Sequence, residues 1–240
     1  MKSRAWTCVI AVACAVLMDG CRTSPAPRPL DTVTAIIAGG WHTCELTSSH
    51  AAYCWGKDST GELGDGTRHD QPVPAAVAGG RVFASIVAGY DYTCALTTSH
   101  AAYCWGDNAH GQLGAGDATA SNVPAAVAGL PAVTAIQIAH AGRAPTIAGF
   151  HTCALSAGGV AYCWGDNSAG QLGDGSRIDR RAPVRAGGSL TFAELSLGAQ
   201  HTCGRTAGRA IFCWGANDWG QLGDGTTNPS TTPVRVKETR

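Results

Sequence analysis

Cysteine and histidine are the residues of this chain best placed to do chemistry, and both recur at fixed spacing. Of eleven cysteines, eight form four evenly spaced pairs: Cys44/Cys54, Cys94/Cys104, Cys153/Cys163 and Cys203/Cys213. His42, His151 and His201 each stand two positions before the first cysteine of a pair. Two chemistries use such residues: pairwise oxidation to disulfides, or metal ligation by thiolate and imidazole. Zinc sites usually bring cysteines within two to four residues of each other, a spacing absent here. No metal is therefore expected, and the histidines are expected to bond turns.

An even cysteine count in an exported chain points to disulfides. In HTCELTSSHAAYCWG two short strand-like runs flank Thr47–His50, and in the third pair the same place reads Ser156-Ala157-Gly158-Gly159. A hairpin turning there sets Cys44 opposite Cys54 on one face, close enough to bridge. Each bridge would close a loop of about eleven residues, worth roughly 2–3 kcal/mol in the chain-entropy model.

Other reactive constellations are missing. The chain has no Gly-x-Ser-x-Gly elbow, no phosphate-cradling Gly-Lys-Ser/Thr loop and no His-Glu-x-x-His. Asp107-Asn108 and Asp166-Asn167 are similar to the start of a calcium loop, but the alternating oxygen ligands and closing Glu are lacking. No catalytic residue, cofactor or metal is expected.

The elements that carry the cysteine pairs are repeats. Each pair is followed by Trp-Gly, then Gly-(Gln/Glu)-Leu-Gly and a turn, at Cys44–Gly66, Cys94–Gly116, Cys153–Gly175 and Cys203–Gly225. A period near fifty residues signals a solenoid or propeller, in which each copy needs neighbours to bury its apolar face. Ala84–Ala88, Thr93–Leu96, Ala101–Trp105 and Val123–Val127 read as four short strands in one copy, an all-β propeller blade. The repeated Trp55, Trp105, Trp164 and Trp214 are expected to pack between blades. The third tryptophan comes later than the period allows. The excess lies between Ala135 and Cys153, where a strand start occurs twice, as a loop insertion or the remnant of a lost repeat.

Comparing copies separates scaffold from function. Positions shared by all copies build the fold; positions that differ are where a particular function can be written. Just before each first cysteine the copies diverge: Gly40-Trp41, Tyr90-Asp91, Gly149-Phe150 and Ala199-Gln200. Three of the four carry an aromatic residue, and repeat geometry should bring all four loops to one face. Aromatic anchors on a common face are the usual content of a protein-binding hot spot; the alternative is that they fill the mouth of a central channel. Trp219 is a further singleton, matched by Thr60, His110 and Ala169. The candidate partner-binding residues are Trp41, Tyr90, Asp91, Phe150, Gln200 and Trp219.

Composition narrows the partner. With 17 basic against 17 acidic residues and no clustered positive patch, a phosphate backbone has nothing to bind, so no nucleic acid is expected. Lys2 and Arg4 precede the apolar run Ala5–Met18. That is a secretory signal pattern, too short to span a bilayer comfortably. Gly20-Cys21 resembles the end of a bacterial lipobox, although Met18 and Asp19 depart from it. The resemblance implies a lipid on Cys21; cleavage elsewhere would leave Cys21 a free thiol. The expected organisation is a signal at 1–20, a Pro-rich linker at 21–32 and a repeat domain at 33–240. Any membrane contact would run through the lipid.

The copies AGGWHTCELT…AAYCWGKDSTGELGDGT and its three sisters resemble the regulator-of-chromosome-condensation repeat, in the Cys-paired form of exported bacterial proteins. The resemblance covers about residues 33–240. It implies a β-propeller used as a protein-binding platform, and a family that includes an exchange factor for a small GTPase, a plant photoreceptor and a bacterial β-lactamase inhibitor. Nucleotide exchange on a small GTPase is thus an alternative function, and a truncated propeller without independent function another. Family propellers have seven blades and this chain has four copies. Blades shaped for sevenfold closure turn about 51° each, so four cover roughly 206°. A strained ring, an open arc or a self-association of chains would follow, with the last strand available to complete the first blade.

Overall fold

The computed structural model describes residues 31–139 and 149–237. These form sixteen strands and no helix. The signal, the linker up to Leu30 with Cys21, and residues 140–148 of the expected insertion lie outside the described residues.

Four antiparallel sheets of four strands follow one another along the chain. The first holds β1 (Val33–Ala38), β2 (His42–Thr47), β3 (Ala52–Gly56) and β4 (Gln71–Ala76). The second holds β5 (Phe83–Ala88), β6 (Tyr92–Thr97), β7 (Ala102–Gly106) and β8 (Ser121–Ala126). The third holds β9 (Val133–Ile138), β10 (His151–Ser156), β11 (Ala161–Gly165) and β12 (Arg180–Arg185). The fourth holds β13 (Glu194–Leu197), β14 (His201–Arg205), β15 (Ile211–Gly215) and β16 (Ser230–Arg235). Within each sheet the strands keep their sequence order. The last strand therefore closes its own sheet, β16 on β15. It does not complete the first blade, because β4 already fills that edge.

The hairpin turns fall where expected. His50 N–H donates to Thr47 O and Gly159 N–H to Ser156 O. Gly159 takes φ 74°, and His50, His100 and Arg209 adopt the same left-handed conformation at φ 65–66°, so the turn imposes it even on residues with a Cβ. This register sets Cys44 opposite Cys54 and repeats in every blade. All four bridges are formed, with the paired Cα atoms 4.1 Å apart.

Blades stack through three buried clusters, each built from two neighbours. In the first, Leu46, Ala52, Leu63 and Val77 meet Phe83, Ile86, Ala95 and Trp105. In the second, Leu96, Ala102 and Leu113 meet Val133, Ile136, Ala154 and Trp164. In the third, Leu155, Ala161 and Leu172 meet Phe192, Leu195 and Trp214. Alternation explains how one strand serves both sides. On β6, Thr93 and Ala95 face back to the preceding blade while Cys94 and Leu96 face the next. Among the described residues the first and fourth sheets share no strand pairing, and the propeller stays open.

The tryptophans of the second, third and fourth blades are also fixed by hydrogen bonds. Trp105 Nε1 donates to Glu62 O at 3.0 Å, Trp164 to Gln112 O at 2.9 Å and Trp214 to Gln171 O at 2.9 Å. The threonine beside each one bonds the same carbonyl. A Cβ on Gly114 would fall 2.7 Å from the Trp164 indole nitrogen, and Gly114 has φ +68°. Only glycine lets the indole close on that carbonyl.

Candidate protein-binding face

The loops before β2, β6, β10 and β14 carry most of the candidate residues. Consecutive loops touch: Gly40 N–H donates to Gly89 O at 2.7 Å. Trp41 meets Tyr90 edge-on with ring centroids 6.1 Å apart. Trp41 is 59% exposed, so the pair presents an aromatic surface to solvent. Phe150 is half-buried and lies flat against His110 of the preceding blade, 5.2 Å between ring centroids. Gln200 is likewise half-buried. Asp91 is occupied, accepting from Lys57 Nζ at 2.7 Å while its backbone carbonyl accepts from Thr60 Oγ1 at 3.1 Å. Trp219 is 92% exposed, on the loop that follows β15.

The structure brings Trp41, Tyr90 and Asp91 together at the junction of the first two blades. Phe150 belongs to the junction of the second and third, where sequence comparison gave no hint of its stacking on His110. Trp219 lies at the end of the array.

The histidines do not bond turns. His42 Nε2 meets Thr93 Oγ1 of the next blade at 2.7 Å, and His151 Nε2 meets Thr202 Oγ1 at 2.9 Å. Each threonine gives its own proton to a backbone carbonyl, so Nε2 must carry the imidazole proton. The Nδ1 atoms of His42 and His151 are buried without a hydrogen-bond partner among the described residues. Protonation there would put a charge in a dry site. Burial accordingly lowers His42 to about 4 and His151 to about 3. His201 is lowered by the same cause.

The Asp-Asn loops are structural as well. Asn108 Oδ1 accepts from Leu113 N–H and its Nδ2 donates to Thr119 O; Asn167 does the same with Leu172 and Ile178. Asp107 and Asp166 accept from Gln112 and Gln171. One acidic group escaped the sequence reading because it spans two blades: ligand atoms of His110, Asp166 and Asp179 lie within 4.8 Å of one another. Asp166 is already bonded by Gln171 and Ser168, and Asp179 by Asn167 N–H and His110.

A model described as the Regulator of chromosome condensation (RCC1) repeat matches residues 49–96, 99–155, 158–204 and 210–240. The chain belongs to this repeat family. A second model of the same repeat matches 83–112 and 192–221.

Solved structures agree on the fold. The chain is similar to human WBSCR16, with 23% identity, TM-score 0.74, and coverage of 88% of this chain and 55% of that one. It is also similar to yeast RCC1 (Prp20) in complex with Kap60, with 21% identity, TM-score 0.68, and coverage of 87% and 50%. A second structure, of Prp20p from Saccharomyces cerevisiae, gives 21% identity and TM-score 0.67, covering 86% and 50%. The chain thus spans about half the length of the solved structures it matches. Among the described residues no helix is long and apolar enough to cross a membrane.

Proposed function

We propose that this chain is a non-catalytic protein-binding module of the bacterial cell envelope. Residues 1–20 would direct export. A lipid on Cys21 would hold the repeat domain at the membrane, with RTSPAPRPL (Arg22–Leu30) as an extended spacer. The loop face carrying Trp41, Tyr90, Asp91, Phe150 and Gln200 would engage another protein or surface component, with Trp219 contributing at the end of the array.

One observation carries this reading. The Trp41–Tyr90 pair, Trp41 exposed and Tyr90 half-buried, is a large aromatic surface on loops that vary while the blades beneath them repeat. Aromatic anchors on a rigid scaffold supply contact area at low entropic cost. Yeast RCC1 (Prp20) has been solved with Kap60 bound, so a relative of this fold serves as a protein partner. Four disulfides, one in every hairpin, favour an oxidising compartment. Nucleotide exchange on a small GTPase would require a reducing cytosol, in which such bridges are not kept.

Capture of partners from envelope extracts tests the face. Trp41→Ala, Tyr90→Ala and Phe150→Ala should each weaken the captured interaction at least tenfold; equal capture by all three overturns the assignment. Cys21→Ser should release the protein from the membrane fraction, and no change in fractionation removes the lipid anchor.

A further inference from the structure

Each blade junction repeats one set of contacts, and the two ends of the array carry its two halves. Across the junctions, a backbone carbonyl in the Gly-x-Leu-Gly segment of one blade (Glu62, Gln112, Gln171) takes both the tryptophan N–H and the threonine hydroxyl of the next. The fourth carbonyl of this series is Gln221 O, on the last blade. The unmatched donors are Trp55 Nε1 and Thr43 Oγ1, on the first. Among the described residues none of these three atoms has a hydrogen-bond partner. Trp55 is partly exposed, whereas Trp105, Trp164 and Trp214 are fully buried.

The outer edges show the same complementarity. Gly66, Gly116 and Gly175 each donate a backbone N–H to the outer strand of the following blade, at Asn122 O, Arg181 O and Thr231 O. By the repeat, Gly225 N–H would meet Pro72 O. Gly61, Gly111 and Gly170 lie against that same strand, while the space over Gly220 is open but for its own loop. On the first blade, Val33 is 43% and Ile36 69% exposed; their counterparts Phe83 and Ile86 are buried against the blade before.

Two departures from the repeat are matched across the ends. Thr60 bonds Asp91 and His110 stacks on Phe150 where one blade meets the next. The corresponding end residues are Trp219 and Trp41, two exposed tryptophans. Leu46 shares a buried cluster with Ala95, and Leu96 with Ala154. In that place the last blade carries Arg205 and the first carries Glu45, opposite charges where the interior has an apolar pair. Glu45 is buried and already engaged within its own chain, and Arg205 donates to the Glu194 carboxylate on β13, so the exchange supplies charge complementarity without filling a vacancy on either side.

We propose that the first blade of one copy docks head-to-tail on the last blade of a second copy, repeating between chains the junction that joins blades within one. Two copies related this way close two such junctions and form an eight-bladed ring, within the range of known propellers, with each blade turning about 45° in place of the about 51° of sevenfold closure. The occupant of both open faces is then this chain itself. The idea shares Trp41 and Trp219 with the proposed binding face but leaves Tyr90 and Phe150 free for an outside partner.

Light scattering on the purified, disulfide-bonded protein tests it, with one variant per half-interface. The wild-type protein should show twice the chain mass at micromolar concentration. Trp55→Ala on the head and Arg205→Glu on the tail should each weaken assembly at least tenfold and give the single-chain mass. Trp219→Ala, at a fully exposed position that cannot compromise folding, should weaken it in the same direction. An equimolar mixture of Trp55→Ala and Arg205→Glu should recover a two-chain species, because one intact head then meets one intact tail. A single-chain mass at all concentrations overturns the proposal, as do species larger than two chains, a pair indifferent to all three variants, or a mixture that does not recover. Tyr90→Ala and Phe150→Ala should leave the mass unchanged, so loss of partner capture in those variants reports on the loop face alone.

Discussion

Asp58 Oδ1 accepts the Leu63 backbone N–H at 3.0 Å, the contact that asparagine makes in each of the other three blades. The asparagines also donate from Nδ2 to loop carbonyls, such as Asn217 to Thr226 O and Asn228 O. A carboxylate has no proton to give. Asp58 instead sits buried with Oδ2 accepting the Thr67 hydroxyl at 3.3 Å, and burial, with Asp65 and Glu62 nearby, raises it to about 6 against the stabilising Leu63 and Thr67 bonds.

Asp58→Asn should therefore stabilise the fold at neutral pH. Two regained donations are worth on the order of 1–2 kcal/mol. The sign depends on pH: a carboxyl whose folded pKa is raised favours the fold below its unfolded value and loses that contribution as pH rises through about 6. The gain from Asn should be largest at pH 7–8 and shrink below pH 6. Urea midpoints at pH 5 and 8 measure it.

The buried histidines act in the opposite direction. His42 and His151 are lowered to about 4 and about 3, so the unfolded chain takes up their protons first as pH falls. Their contribution is complete above about pH 6.5 and is lost as pH drops toward 4. Each should cost on the order of 2 kcal/mol between pH 7.5 and 4.5. His42→Gln keeps a donor for Thr93 but cannot ionise, and should flatten part of that dependence in urea titrations.

Much of this was legible in the sequence, for a physical reason: a repeat states its own register four times. Cysteines at constant spacing, turn residues between them and a tryptophan after them permit one hairpin, and the hairpin forms as read. What the copies share could not reveal what passes between blades. Local pattern points the histidines at turns because their threonine partners lie 51 residues away. Phe150 on His110 was hidden likewise. Asp58 could have been found, since one carboxylate among three asparagines at a repeated position is a visible exception.

The bridges should differ in accessibility. Cys44, Cys54, Cys94, Cys104, Cys153 and Cys163 are fully buried under a following blade, while Cys203, on the last blade, is partly exposed. At a protein concentration low enough to keep chains apart, Cys203–Cys213 should be the first to open under dilute reductant, at least tenfold faster than the other three. Alkylation of the new thiols followed by peptide mass mapping gives the order, and simultaneous opening of all four would contradict it. Losing one such loop closure should cost about 2–3 kcal/mol.

The tryptophans provide the sharpest internal comparison. Trp164 is fully buried, bonds Gln112 O and packs with Leu96 and Leu113 of the preceding blade. Trp164→Ala removes that contact and leaves the Gln112 carbonyl with only the Thr152 hydroxyl. The expected loss is about 3–5 kcal/mol, enough to uncouple the two halves of the array. Trp55 has no blade before it within the chain, so Trp55→Ala should cost the single chain under about 1 kcal/mol, the range of ordinary surface changes. Chemical denaturation at a protein concentration low enough to keep chains apart measures both. Equal losses would mean that Trp55 is already docked on something within its own chain, and the first blade's open face would no longer be open.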